Sequence, residues 1–152
     1  MGNKEVVKTR YLFSRVLSKD EKKWILECIE YVKSIDIPIS NDIYFKHCRD
    51  FEEIGWCETE GDSKKAECTI ALSIYLNIYP ESFETDFKEV CIHELLHTIK
   101  NRSKNPHKGS WGKYAKVIND LHVLDSERHP YYISEKFWKN NLRVAKNRRK
   151  AS

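Results

Sequence analysis

Between residues 18 and 34 the apolar side chains Trp24, Ile25, Cys28, Ile29 and Val32 recur every three or four positions, the period of a helix with one buried face. Ser18-Lys19-Asp20-Glu21 precedes them with the hydroxyl and carboxylate of a capping box, so a helix is predicted from about 19 to 34. Ile37-Pro38-Ile39 breaks it, and Ile43 and Phe45 mark a short strand. Two β-prone runs, 54–59 and 67–74, flank the turn-prone pair Gly61-Asp62 and predict an antiparallel hairpin. In the second run Cys68, Ile70, Leu72 and Ile74 alternate with Thr69, Ala71, Ser73 and Tyr75, the pattern of a strand with one buried face.

After Tyr79-Pro80 the period becomes helical again. Phe83, Phe87, Val90 and Cys91 share one stripe, and Ile92, Leu95, Leu96 and Ile99 cover much of the remaining surface, so a helix from about 83 to 101 belongs in the middle of the fold. A polar loop, 101–109, leads to a helix carrying Trp111, Tyr114, Ala115, Ile118 and Leu121 or His122. His129-Pro130 interrupts, and a last helical pattern from Glu135 places Phe137, Trp138, Leu142 and Ala145 on one side. These elements predict an α+β fold: a small antiparallel sheet packed against the central helix and flanking helices. One domain over residues 1–135, followed by a tail over 136–152, accounts for the 152 residues.

Composition narrows the class. With 40% hydrophobic and 33% charged residues the chain is too apolar for disorder and too polar for a membrane protein. Its apolar runs fall far short of the ~20 residues of a bilayer span. The charged stretch Met1 to Arg10 is no secretory signal, so an intracellular protein, cytoplasmic or nucleoid-associated, is expected. Five cysteines without close spacing read as reduced, mostly buried thiols; a structural zinc on Cys57 and Cys68 is the rival reading. The net charge of +4 is a property of the tail, where Lys136, Lys139, Arg143, Lys146, Arg148, Arg149 and Lys150 stand without an acid. Residues 1–135 hold 20 basic and 23 acidic groups, a net of −3. A second acid-free stretch, Leu95 to Asn119, contains Lys100, Arg102, Lys104, Lys108, Lys113 and Lys116. Both segments suit a polyanion such as DNA, and both equally suit a solvated lysine face.

The chemistry concentrates in His93-Glu94-Leu95-Leu96-His97, an HExxH pattern inside the central helix. Four residues make just over one turn, so both imidazoles leave one face and can close on one zinc ion, with Glu94 beside them as a base. Unpaired polar groups on a buried helix cost about 1 to 3 kcal/mol each, a cost that metal ligation removes. A catalytic zinc takes a third protein ligand and keeps one position open. His107, ten residues after His97, is the nearest candidate, and His122, Glu127 and His129 are others; His47 reads as a surface histidine.

His93-Glu94-Leu95-Leu96-His97, then His107-Lys108-Gly109-Ser110-Trp111 and Tyr114-Ala115-Lys116-Val117-Ile118-Asn119, resemble the SprT-like zinc metallopeptidases, a family that includes DNA-protein crosslink proteases. In that family the third histidine follows a loop and precedes a helix with a tryptophan four residues later, as His107 and Trp111 do. Ile54-Gly55-Trp56-Cys57 and the strand Thr69 to Ile74 resemble its sheet, extending the likeness over about 18–124. Two features depart from it: Lys108 stands between His107 and Gly109, where the family has glycine directly after the histidine, and no cysteine follows Cys91 to build the zinc ribbon many members carry.

The resemblance implies a monomeric zinc endopeptidase with one zinc on His93, His97 and His107. Glu94 takes a proton from the attacking water and passes it to the leaving amine. Tyr114, His122, Tyr131 and Tyr132 are candidate transition-state donors, and the strand Thr69 to Ile74 would pair with an extended protein or peptide substrate if it lay at the sheet edge. A DNA-associated protein is the expected substrate, with DNA contacted through the basic segments and no membrane involved. The rivals are a repressor-cleaving zinc peptidase and a non-catalytic nucleic-acid-binding protein with a structural metal.

Overall fold

A computed structural model describes residues 9–49, 54–59 and 66–122. The predicted capping box forms: the Glu21 N–H donates to Ser18 Oγ at 3.0 Å, and Ser18 N–H donates to Glu21 Oε1 at 2.9 Å, which starts α1 (Lys19–Ser34). Ile25, Cys28, Ile29 and Val32 are its buried stripe. Before it, β1 (Arg10–Phe13) occupies a segment whose four residues are too few to show a period, and after it β2 (Asp42–Cys48) extends well beyond Ile43 and Phe45.

The hairpin forms as predicted, with β3 (Gly55–Glu58) antiparallel to β4 (Cys68–Ser73) and Cys57 opposite Ile70; its turn lies outside the described residues. The sheet, however, is mixed and not antiparallel. Its order is β1-β2-β4-β3, and β1 pairs parallel to β2 and β2 parallel to β4. The helix α1 between β1 and β2 provides the crossover a parallel pair requires. From β2 the chain passes over one position to the far edge as β3, then returns into the middle as β4. This central place explains a second correction: all six β4 residues are buried, on both faces and not one.

Two 3-10 turns, Ile74–Ile78 and Pro80–Ser82, lead into α2 (Phe83–Leu96). From Phe87 to Leu96 every residue of α2 is buried, as the nearly all-round apolar pattern requires. It packs on α1 and against β3 and β4, so one helix spans the core. It ends at Leu96, short of the predicted 101, because the chain tightens: the N–H groups of His97, Thr98 and Ile99 donate to the carbonyls of Glu94, Leu95 and Leu96 at 3.0 to 3.2 Å. The loop after it runs to α3 (Gly109–Leu121), which buries Trp111, Ala115 and Ile118. Among the described residues no helix is long and apolar enough to cross a membrane. All five cysteines are free thiols, four of them buried and Cys57 half-buried.

Candidate metal centre

The HExxH residues sit at the C-terminal end of α2. His93 is 7% exposed and Glu94 3%. His97 lies one residue past the helix but keeps helical backbone angles, φ −70° and ψ −13°, so its imidazole still shares the face of His93. The two Nε2 atoms are 3.2 Å apart. The third imidazole is His107, whose Nε2 lies 3.1 Å from that of His93. Nitrogen atoms of His93, His97 and His107 all fall within 4.8 Å of one another, and this is the group that can hold a metal ion among the described residues.

The donor set fits zinc. Ligand nitrogens about 2.0 to 2.1 Å from a tetrahedral ion are separated by roughly 3.3 Å, close to the 3.2 and 3.1 Å from His93 Nε2 to the Nε2 atoms of His97 and His107. The protonation state fits as well. Burial, and then the neighbouring imidazoles, hold His93 well below its ordinary value; burial and His107 push His97 down to about 4; burial lowers His107. All three therefore present neutral imidazole at pH 7, the form that binds metal.

Trp111 braces the cluster. Its indole N–H donates at 3.2 Å to the His93 carbonyl, one of the last four carbonyls of α2, which lack a donor within the helix. Its ring stacks on His97 with centroids 5.5 Å apart and meets His93 and His107 edge-on at 4.9 and 4.7 Å. Trp111, in the first turn of α3, thus ties the helix that follows the His107 loop to the end of α2 that carries His93 and His97.

The cluster opens into a cleft of about 770 Å³ whose walls include Gly55, Trp56 and Cys57 of β3 and most of the segment from His97 to His107. Gly55 brings β3 close to the site: a Cβ there would lie 2.8 Å from Val90 Cγ1 and 3.1 Å from the Ala71 carbonyl oxygen, with Glu94 Cγ at 3.4 Å. Cys57, two residues along on the same face, has its thiol pushed up by burial and by the Glu94 carboxylate. Burial also raises Cys68. Both stay protonated, and neither belongs to the metal-holding group, so the rival Cys57–Cys68 zinc gains no support among the described residues.

The other candidates fall elsewhere. His122 pairs with the Tyr31 hydroxyl of α1 at 2.5 Å, and neither it nor Tyr114 is among the described residues lining the cleft. Glu127, His129, Tyr131 and Tyr132 lie outside the described residues, as does the tail. His47 is not a plain surface histidine: its Nε2 is 2.7 Å from Glu21 Oε2, joining β2 to the capping carboxylate of α1. The strand Thr69 to Ile74 is not an edge; among the described residues the edges are β1 and β3, and β3 is the one beside the cluster. Missed in the sequence were Cys57 as a wall beside Glu94 and Asn101, which bonds the loop carrying His107. Comparisons of the chain with models of protein families, with curated proteins and with solved structures found no match.

Proposed function

We propose that this chain is a zinc-dependent endopeptidase of the SprT-like kind, with His93, His97 and His107 as ligands and Glu94 as general base, acting on DNA-associated proteins. The observation that carries the reading is the convergence of three imidazoles beside a buried carboxylate in the lining of an open cleft. Bound there, zinc would supply Lewis-acid polarisation of a scissile carbonyl and a water whose pKa is brought toward 7. Glu94, next to but outside the ligand set, takes the proton from that water and delivers it to the departing amine. The outer edge of β3 at the cleft wall suits an extended peptide, whose backbone would add to the sheet there. A three-ligand set facing a cleft leaves room for water and substrate, which favours catalysis over a closed structural site.

The test separates metal from chemistry. Glu94→Gln should retain about one zinc per chain and lower peptide-bond cleavage of a DNA-bound protein by about 10²- to 10⁴-fold. His93→Ala and His97→Ala should lose the metal. Full activity in Glu94→Gln rejects the general-base role, and a metal-free wild type rejects the reading as a whole.

A further inference from the structure

We propose that Asn101 is a positioning residue for the metal centre, closing the 101–108 loop head to tail so that His107 is presented as a ligand. The inference rests on the metal-centre reading above.

His93 and His97 are held by α2, whereas His107 stands on an exposed loop and needs a separate anchor. Asn101 provides it on both sides of the histidine. Its Nδ2 donates to the Lys108 carbonyl at 2.8 Å and more weakly to the Pro106 carbonyl at 3.4 Å, while its Oδ1 accepts the Ser103 N–H at 3.0 Å. Within the loop, the His107 N–H donates to Asn105 Oδ1 at 2.9 Å, and the Asn105 N–H donates to Ser103 Oγ at 3.3 Å. Asn101 is therefore the first link of a chain of bonds that ends on the ligand's own backbone.

The following glycine has the same logic. Gly109 adopts φ +60°, and a Cβ there would run into Asn101 Oδ1 and lie 3.0 Å from Ser103 Cβ. The asparagine amide fills the space that a side chain at 109 would need, which accounts for glycine two residues after His107. An aspartate at 101 could still accept from Ser103, but it would turn a second acceptor toward two carbonyl oxygens.

The experiment measures zinc affinity by chelator competition in wild type, Asn101→Ala, Asn101→Asp, His107→Ala and the Asn101→Ala/His107→Ala pair, with the thermal midpoint of each metal-free protein as a fold control. Asn101→Ala and Asn101→Asp should each weaken zinc binding by about tenfold, in the range typical of groups that orient metal ligands, while the metal-free midpoints stay close to wild type. In the His107→Ala background Asn101→Ala should cost nothing further, because its effect passes through that ligand. Unchanged affinity in the single variants, an undiminished effect of Asn101→Ala in the pair, or collapse of the metal-free fold in both Asn101 variants would overturn the proposal. A wild type that binds no zinc overturns the metal-centre reading and this inference together; unchanged single variants beside a zinc-binding wild type overturn this inference alone.

Discussion

Three histidines kept neutral by burial tie the stability of the metal-free protein to pH. In the unfolded chain each imidazole takes a proton near pH 6.5, whereas in the fold His97 resists protonation down to about 4 and His93 and His107 are also lowered. Between those values the unfolded state binds more protons, so stability is full above about pH 6.5 and is lost as pH falls from there toward 4. The capping carboxylate Glu21 is lowered too, by His47 and Ser18 against the opposing effect of burial, which is the largest; its contribution is lost only below its ordinary value of 4.5. Thermal unfolding of the metal-free protein between pH 5 and 7 thus reads mainly the histidines. The midpoint should fall with pH across that window and fall less steeply in His97→Gln; equal slopes in the two proteins would remove His97 from the account. At this scale the convergence of His93 and His97 was legible because a four-residue spacing on a helix determines geometry. The Asn101 bonds and the Cys57 wall were not, since both depend on segments meeting across the fold.

The elements divide the same way. The period and capping residues of α1 and the nearly all-round apolar α2 predicted both helices with their correct starts, because those signals are local. The mixed sheet was hidden because four-residue β1 has no period to read and because strand order depends on which edge the chain crosses to. That crossing is what puts β3 beside the metal cluster, and Gly55 is what lets it come close. Gly55→Ala would press a methyl against Val90 Cγ1 and the Ala71 carbonyl, neither of which can swing away. It should therefore destabilise the fold by about 1 to 3 kcal/mol, the usual cost of overpacking, measured as a lower urea midpoint at unchanged slope. A midpoint equal to wild type would mean that β3 can be displaced from α2 without penalty.

At the scale of the molecule, the described residues border the cleft with basic charge on one segment. Lys100, Arg102 and Lys104 line it and Lys108 follows on the same loop; all four are exposed, and no acid stands between Leu95 and Asn119. Lys116 is engaged with Asp120 at 2.6 Å and Lys113 lies over the Tyr114 ring, so the loop carries the lysines and arginine best placed for a polyanion. The seven basic residues from Lys136 to Lys150 lie outside the described residues but add the larger block of charge. If a DNA-associated protein is the substrate, phosphates should engage one or both sets and release counterions. Two variants distinguish them: Lys100, Arg102, Lys104 and Lys108 changed to Gln, and Arg143, Lys146, Arg148, Arg149 and Lys150 changed to Gln. DNA affinity measured against salt should weaken in the tail variant, with the slope of log affinity on log salt shallower by up to roughly 0.7 to 0.9 for each phosphate that is no longer neutralised. The loop variant should show the same change in smaller measure and should also slow cleavage of a DNA-bound protein, since Lys100, Arg102 and Lys104 line the cleft. A slope unchanged in both variants would leave the positive charge a solubility feature and remove DNA from the proposed function, with the zinc chemistry untouched.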